Sequence, residues 1–230
     1  EFKSYAVFAE SEIELSEGTS LLAGVRFEKR ETNYKDSEGI EFSPSEDFWG
    51  GEISLNKDLY DNFFGYVSIA RGFKAGGFNI DGTLDSDLRE FNEEYLIEYE
   101  AGLKGAFFGD NLQVRLAIFM DDRRDQQVKS SLIRPRSDGS TEFIDFLGNA
   151  AAGTNKGLEG SIVWELNPNW RLTLDAGLLR ATFDEYINEF GENLSGRDQA
   201  HAPSYMASAG IRFAQGRWTA SLTADTKDAF

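Results

Sequence analysis

Apolar and polar residues alternate over long stretches of this chain, and the alternation sorts charge as well as polarity. From Trp170 to Leu179 one row reads Trp170, Leu172, Leu174, Ala176, Leu178, while the other begins Arg171, Thr173, Asp175, Gly177. Leu112, Val114, Leu116, Ile118 and Met120 oppose Gln113, Arg115, Ala117 and Phe119. From Tyr95 the apolar row is Tyr95, Ile97, Tyr99, Ala101, Leu103, set against Glu94, Glu98, Glu100 and Lys104. A period of two marks strands with one face withdrawn from water. It predicts ten antiparallel strands, near 3–15, 20–32, 48–57, 63–73, 93–107, 112–128, 143–166, 170–183, 203–213 and 218–228. The seventh is long enough that a break is expected around Gly148 to Asn155. Leu88, Phe91 and Tyr95 fall at near-helical spacing, so a short helix competes with strand until about Glu93.

The connections are unequal. Short turns at Ser16-Glu17-Gly18-Thr19, Asp58 to Asn62, Gly109-Asp110-Asn111, Asn167-Pro168-Asn169 and Gln215-Gly216-Arg217 alternate with long polar stretches near 33–47, 74–92, 129–142 and 184–202. Tight turns at one rim and long loops at the other are the plan of an outer-membrane β-barrel. Aromatics gather at the short turns: Tyr60, Phe63 and Phe64, then Phe107 and Phe108, Trp164 and Trp170, Phe213 and Trp218. Such rings favour the membrane–water interface. A Lys or Arg facing lipid costs roughly 2–4 kcal/mol at the midplane. Reversing several strands would exceed a typical stability of about 5–15 kcal/mol, so the charged rows face a lumen. The lumen-facing candidates are Glu98, Glu100, Lys104, Arg115, Arg171 and Asp175. Arg71 and Arg180 share the lipid-facing parity at the outer ends of their strands, where lipopolysaccharide phosphates lie.

Composition narrows the function classes. No run of 18 or more apolar residues exists, which removes a transmembrane helix but not a strand barrel. Cysteine is absent, which removes disulfides, thiolate nucleophiles and Cys-based zinc sites. The net charge of −17, with 40 acidic against 23 basic residues, argues against a nucleic-acid partner. His201 is the one histidine and adjoins Ala202-Pro203, a loop-to-strand junction with no candidate partner for chemistry. Glu46-Asp47, Glu93-Glu94 and Asp184-Glu185 are expected to solvate the outer rim, since adjacent strand residues point to opposite faces. Asp121-Asp122-Arg123-Arg124-Asp125 is expected to neutralise itself above the sixth strand. No catalytic residue, metal ligand or cofactor is expected.

Four segments carry a family resemblance. Arg71-Gly72-Phe73-Lys74-Ala75-Gly76-Gly77-Phe78-Asn79, leaving a strand, resembles a segment in the barrels of TonB-dependent outer-membrane receptors. So do Glu98-Tyr99-Glu100-Ala101-Gly102-Leu103-Lys104 with the later Ala117-Ile118-Phe119, then Gly148-Asn149-Ala150 leading to Lys156-Gly157-Leu158-Glu159-Gly160, and Ala202-Pro203-Ser204-Tyr205. Their order spans about 70–213. The resemblance implies an all-β, antiparallel transmembrane barrel and energised import of a scarce large nutrient, a ferric siderophore above all. It also implies an N-terminal plug inside the barrel, pulled by the TonB inner-membrane complex, with outer-membrane lipid and lipopolysaccharide outside. The motif residues Gly72, Phe73, Gly76, Gly77, Phe78, Asn79, Gly157 and Glu159 are expected to be structural. Barrels of this class have about 22 strands. Ten strands without a visible signal peptide, plug or TonB box read as an interior part of the barrel domain, over 1–230. A passive porin, a barrel enzyme and a soluble β-rich binding protein are the competing classes.

Overall fold

A computed structural model describes residues 1–35, 39–136, 138–188 and 190–229. Ten strands form one antiparallel sheet: β1 (Phe2–Ser16), β2 (Thr19–Thr32), β3 (Ser45–Tyr60), β4 (Phe63–Lys74), β5 (Glu94–Phe107), β6 (Leu112–Pro135), β7 (Thr141–Asn167), β8 (Trp170–Tyr186), β9 (Tyr205–Gln215) and β10 (Trp218–Lys227). Each strand pairs with its neighbours in chain order, an up-and-down meander. β1 and β10 do not pair with each other, so the sheet is an open wall. Left-handed residues make the hairpins tight at the short-turn rim, including Gly18 (φ 63°), Asn62 (φ 59°) and Gly216 (φ 58°).

The register aligns the two rows of every strand across the whole sheet. Moving from β1 to β8, Val7 stands opposite Phe27, Phe27 opposite Trp49, and Ile53 opposite Ile69. Ile69 then faces Tyr99, Tyr99 Met120, and Ile118 Leu158 on its way to Leu178. The other face carries Glu10, Gly24, Glu52, Ala70, Glu98, Asp121 and Asn155 in one continuous row. One residue of slip between any two strands would mix these faces. The apolar face is open: Ile118 is 60% exposed and Leu222 70%. A groove of about 1000 Å³ runs along it, lined by Ile53, Val67, Ile118, Leu158 and Leu178 among others. Such a face is stable when hydrocarbon covers it.

Among the described residues, a buried apolar cluster appears toward the outer rim. Leu84, Ile144 and Phe146 form a buried cluster with Leu88 and Leu132 against it. The loop after β4 folds down onto this cluster through a two-residue strand pair, Gly77–Phe78 with Glu90–Phe91, and a 3-10 turn at Ser86–Leu88. Asn79 locks it in place. Its Nδ2 donates to the Leu88 carbonyl (2.8 Å) and the Leu147 carbonyl (2.9 Å), and its Oδ1 accepts from the Leu147 N–H (2.9 Å). Phe78 stacks on Phe42 with ring centroids 5.8 Å apart and meets Tyr34 at 4.5 Å. Asp81 accepts from the Thr83 hydroxyl (2.6 Å) and N–H (2.9 Å), bonds that hold its carboxyl below the usual carboxylate range.

Three details of the expected layout change. The polar stretch near 129–142 is mostly strand, since β6 and β7 stay paired out to Pro135 and Thr141. Leu132, Ile144 and Phe146 supply a second, water-side core that keeps this hairpin extended. The seventh strand bends rather than breaks, with register shifts beside Gln126 and between Ala152 and Gly153, and with Asp125 at φ 51°. The helix competing near Asp87 shrinks to the 3-10 turn, because the chain must then cross back to pair with β4 and β6. Residues 36–38, 137 and 189, within three of the expected long connections, lie outside the described residues, as does residue 230.

Two substitutions test this architecture in the full-length protein. Ile118→Arg should lower stability in lipid vesicles by about 2–4 kcal/mol, while Thr223→Arg on the polar face should cost under about 1 kcal/mol; denaturant midpoints report both. Asn79→Ala should cost about 1–3 kcal/mol locally by stranding the Leu147 N–H. Hydrogen exchange at Leu147 and across 79–91 should speed by roughly tenfold or more, with mid-wall amides unchanged.

Candidate functional site

The polar face of the wall is the candidate site, and the register shows how four strands assemble it. Glu98, Glu100 and Lys104 project from β5, Arg115 from β6, and Arg171 and Asp175 from β8, all on one side of the sheet. Glu159 of β7 joins them between Ala117 and Gly177. A groove of about 740 Å³ is lined by Tyr66, Glu100, Lys104, Arg115, Glu159 and Asp175, with residues of β9 and β10 completing it. Arg171 pairs with Glu165 at 3.3 Å. The Tyr66 hydroxyl donates to Glu100, and Lys104 Nζ sits 4.6 Å from the Tyr66 ring centre.

Like charges face each other across strand pairs here. Glu98 stands opposite Asp121, Lys104 opposite Arg115, and Arg171 opposite Arg212. Such pairs destabilise an isolated sheet. Two aromatic rings smooth the same face by lying over glycines of the next strand. A methyl at Gly102 would come within 2.4 Å of the Tyr66 ring, and one at Gly157 within 2.7 Å of the Phe119 ring. Gly157 thus has a steric reason, and Glu159 projects freely beside it.

At the outer end the face closes into a hydrogen-bonded junction that alternation did not reveal. Glu94, 4% exposed, accepts from Arg123 Nε (3.0 Å) and from the Gln127 N–H (3.0 Å). Arg123 Nη1 reaches Gln199 Oε1 at 3.4 Å, and Gln199 Nε2 donates to the Thr182 carbonyl at 3.0 Å. Gln127 Nε2 donates to the Ala75 and Asn92 carbonyls, at 2.9 and 3.0 Å. Asn149 accepts from the Asn92 N–H at 2.6 Å and donates to the Asp125 carbonyl at 2.7 Å. The expected acidic rim is therefore not simply solvated. Glu94 is a buried ion-pair partner, Glu46 accepts from the Gly76 N–H at 3.2 Å, and Asp184 accepts from the Thr154 hydroxyl at 2.6 Å. The expected self-neutralising run divides: Arg124 meets Asp122 at 2.9 Å, but Arg123 turns to Glu94.

The motif after β4 lies in this junction. Phe73 stacks on buried Phe48 at 4.8 Å, and Phe78 and Asn79 hold the loop as described. A methyl at Gly76 would meet Glu46 Oε1 and the Phe91 carbonyl at 2.5 Å, and one at Gly77 the Phe91 ring at 2.9 Å. At Gly72 a methyl would make ordinary contact with Leu96 at 3.6 Å, so space does not explain that glycine. His201 adopts φ 61° in the loop before β9. Arg71 lies between rings of the two neighbouring strands. Its guanidinium lies 4.3 Å from the Trp49 ring centre and 4.9 Å from that of Tyr95, and it donates to the Trp49 carbonyl.

Known proteins share this fold. The family model described as TonB dependent receptor-like, beta-barrel, matches residues 1–229. The pesticin receptor of Yersinia pestis is 25% identical over 188 residues, which are 79% of this chain and 26% of that protein. The ferric yersiniabactin uptake receptor of the same species superposes with a TM-score of 0.76 at 21% identity, over 97% of this chain and 34% of its own. A siderophore receptor of Acinetobacter baumannii gives 0.74 at 17% identity, over 99% and 33%. The chain thus spans about a quarter to a third of the proteins it resembles. It belongs to the TonB-dependent receptors of the Gram-negative outer membrane, as part of their β-barrel.

Proposed function

We propose that this chain is a section of the barrel wall of an energised outer-membrane receptor that imports a scarce large nutrient, a ferric siderophore. The observation that carries the proposal is the polar face with its opposed like charges. Glu98 with Asp121 and Lys104 with Arg115 line a surface that gains stability when complementary charge is seated on it. The plug domain of the same full-length protein supplies that surface, so Glu98, Glu100, Lys104, Arg115, Arg171 and Asp175 are plug-contacting residues. The plug couples to the TonB inner-membrane complex; lipid and lipopolysaccharide cover the opposite face. No chemical reaction and no nucleic acid is assigned to this wall. Support for the cargo comes from the similar proteins, which are named for ferric yersiniabactin and for siderophores.

Uptake of radioiron-loaded siderophores by iron-starved cells carrying the full-length receptor tests this. Accumulation should fall to background when TonB is deleted or the proton gradient is collapsed. Equal uptake in both conditions would instead make the protein a passive channel. Energised uptake of another large nutrient, with none of a siderophore panel, would remove the cargo assignment alone.

A further inference from the structure

Lys156 of β7 and Arg180 of β8 stand directly opposite each other on the apolar face. Both are exposed, and neither is in an ion pair among the described residues. Two cations in register repel each other, and each carries a cost on a lipid-facing surface. Asp122, Thr154 and Thr182 form the row above them, and the neighbours beside and beneath are apolar. Tyr99 and Met120 share their row, and Ile118, Leu158 and Leu178 form the row beneath. The acids on the same face of these strands are engaged elsewhere, Asp122 with Arg124 and Asp184 with the Thr154 hydroxyl.

Height decides what the pair meets. Lys156 lies about eight residues along β7 from Trp164, which sits beside a short turn. At about 3.3 Å per residue and a tilt near 40°, that is roughly 20 Å above the inner aromatic level. The apolar band of such barrels is about 25 Å tall. Both side chains are long enough to reach upward from there to the headgroup layer of the outer leaflet. Tyr99 in the same row and Tyr205 opposite Leu178 are at the level where aromatics border the headgroups.

The geometry points to Lys156 and Arg180 as a two-pronged site for a phosphate of lipid A, the anchor of lipopolysaccharide. The guanidinium offers a planar fork and the ammonium a point charge, so one phosphate cancels the repulsion and replaces the missing counterion. Leu158 and Leu178 lie where the acyl chains of the same lipid descend. The site rests on the outward assignment of the apolar face proposed above. Of the two arginines expected near these phosphates, Arg180 shares the site with Lys156, while Arg71 lies between the Trp49 and Tyr95 rings.

Native mass spectrometry of the purified full-length receptor, titrated with bisphosphorylated lipid A in detergent, tests the site. Lys156→Gln with Arg180→Gln should weaken retention about tenfold or more, and the native protein should disfavour dephosphorylated lipid A by a similar factor. Lys156→Arg should keep binding. Because the glutamines also remove a repulsion, thermal stability without lipid should not fall. Equal retention by native and double-variant protein would overturn the site. Phosphatidylglycerol bound as tightly as lipid A would overturn the choice of lipid. A spin label at Leu158 keeps the two levels apart: an aqueous signal sinks the outward assignment itself, whereas an acyl-chain signal with no phosphate effect sinks only the site.

Discussion

A backbone that crosses hydrocarbon finds no water for its N–H and C=O groups, and the wall is arranged around that constraint. Every interior strand, β2 to β9, is hydrogen-bonded on both sides in one unbroken meander. Once that ladder is fixed, each side chain has only two directions to point. The register then makes the choice collective, since Ile53, Ile69, Tyr99 and Met120 share a side only because four strands keep step. Apolar exposure that would be a liability in water becomes the means by which lipid holds the sheet.

Above the bilayer the constraint relaxes, and the chain reverts to the means of water-soluble proteins. Leu84, Ile144 and Phe146 make a small core. Asn79, Gln127 and Asn149 use side-chain amides where backbone pairing ends. The Glu94–Arg123 pair is tolerated because Gln127 and Gln199 satisfy further lone pairs and donors. The bulge at Asp125 marks the change, re-aiming β6 from the wall into the rim. The loop after β4, the extended β6–β7 hairpin and the loop before β9 thus meet at one joint rather than projecting separately.

The wall was legible in the sequence because a period of two is local: Leu112 to Met120 declares its faces without reference to any other strand. The rows of Trp170 to Leu179 and of Tyr95 to Leu103 did the same, and their candidate residues Glu98, Arg115, Arg171 and Asp175 fall on one side. The rim was not legible, for a physical reason. Glu94 looks like one more acid beside Glu93, and its burial depends on Arg123 and Gln127, 29 and 33 residues away. Leu132 lies in a stretch whose polar neighbours read as a loop, and only packing against Leu84, Ile144 and Phe146 distinguishes it. Arg71 shows the same limit, since parity placed it correctly while the rings that occupy it belong to other strands.

The two faces differ in what they leave unfinished. On the outer face the deficit is apolar area, which any acyl chain can fill, so little specificity is demanded except where Lys156 and Arg180 interrupt it. On the inner face the deficit is directional charge. Glu98 opposite Asp121 and Lys104 opposite Arg115 are separated by the row of Glu100 and Phe119, whose one carboxylate accepts from the Tyr66 hydroxyl, and by the uncharged row of Gly102 and Ala117. Water can solvate such a pattern, but a protein surface satisfies it only when its own charges arrive at matching heights. If the proposed plug seats on it, a wall patterned this way distinguishes a seated plug from a displaced one by electrostatics. On the proposed reading, a plug displaced by three rows, about 20 Å along a strand, would carry charge matched to the Glu98–Asp121 row onto the Lys104–Arg115 row and set like charges against each other.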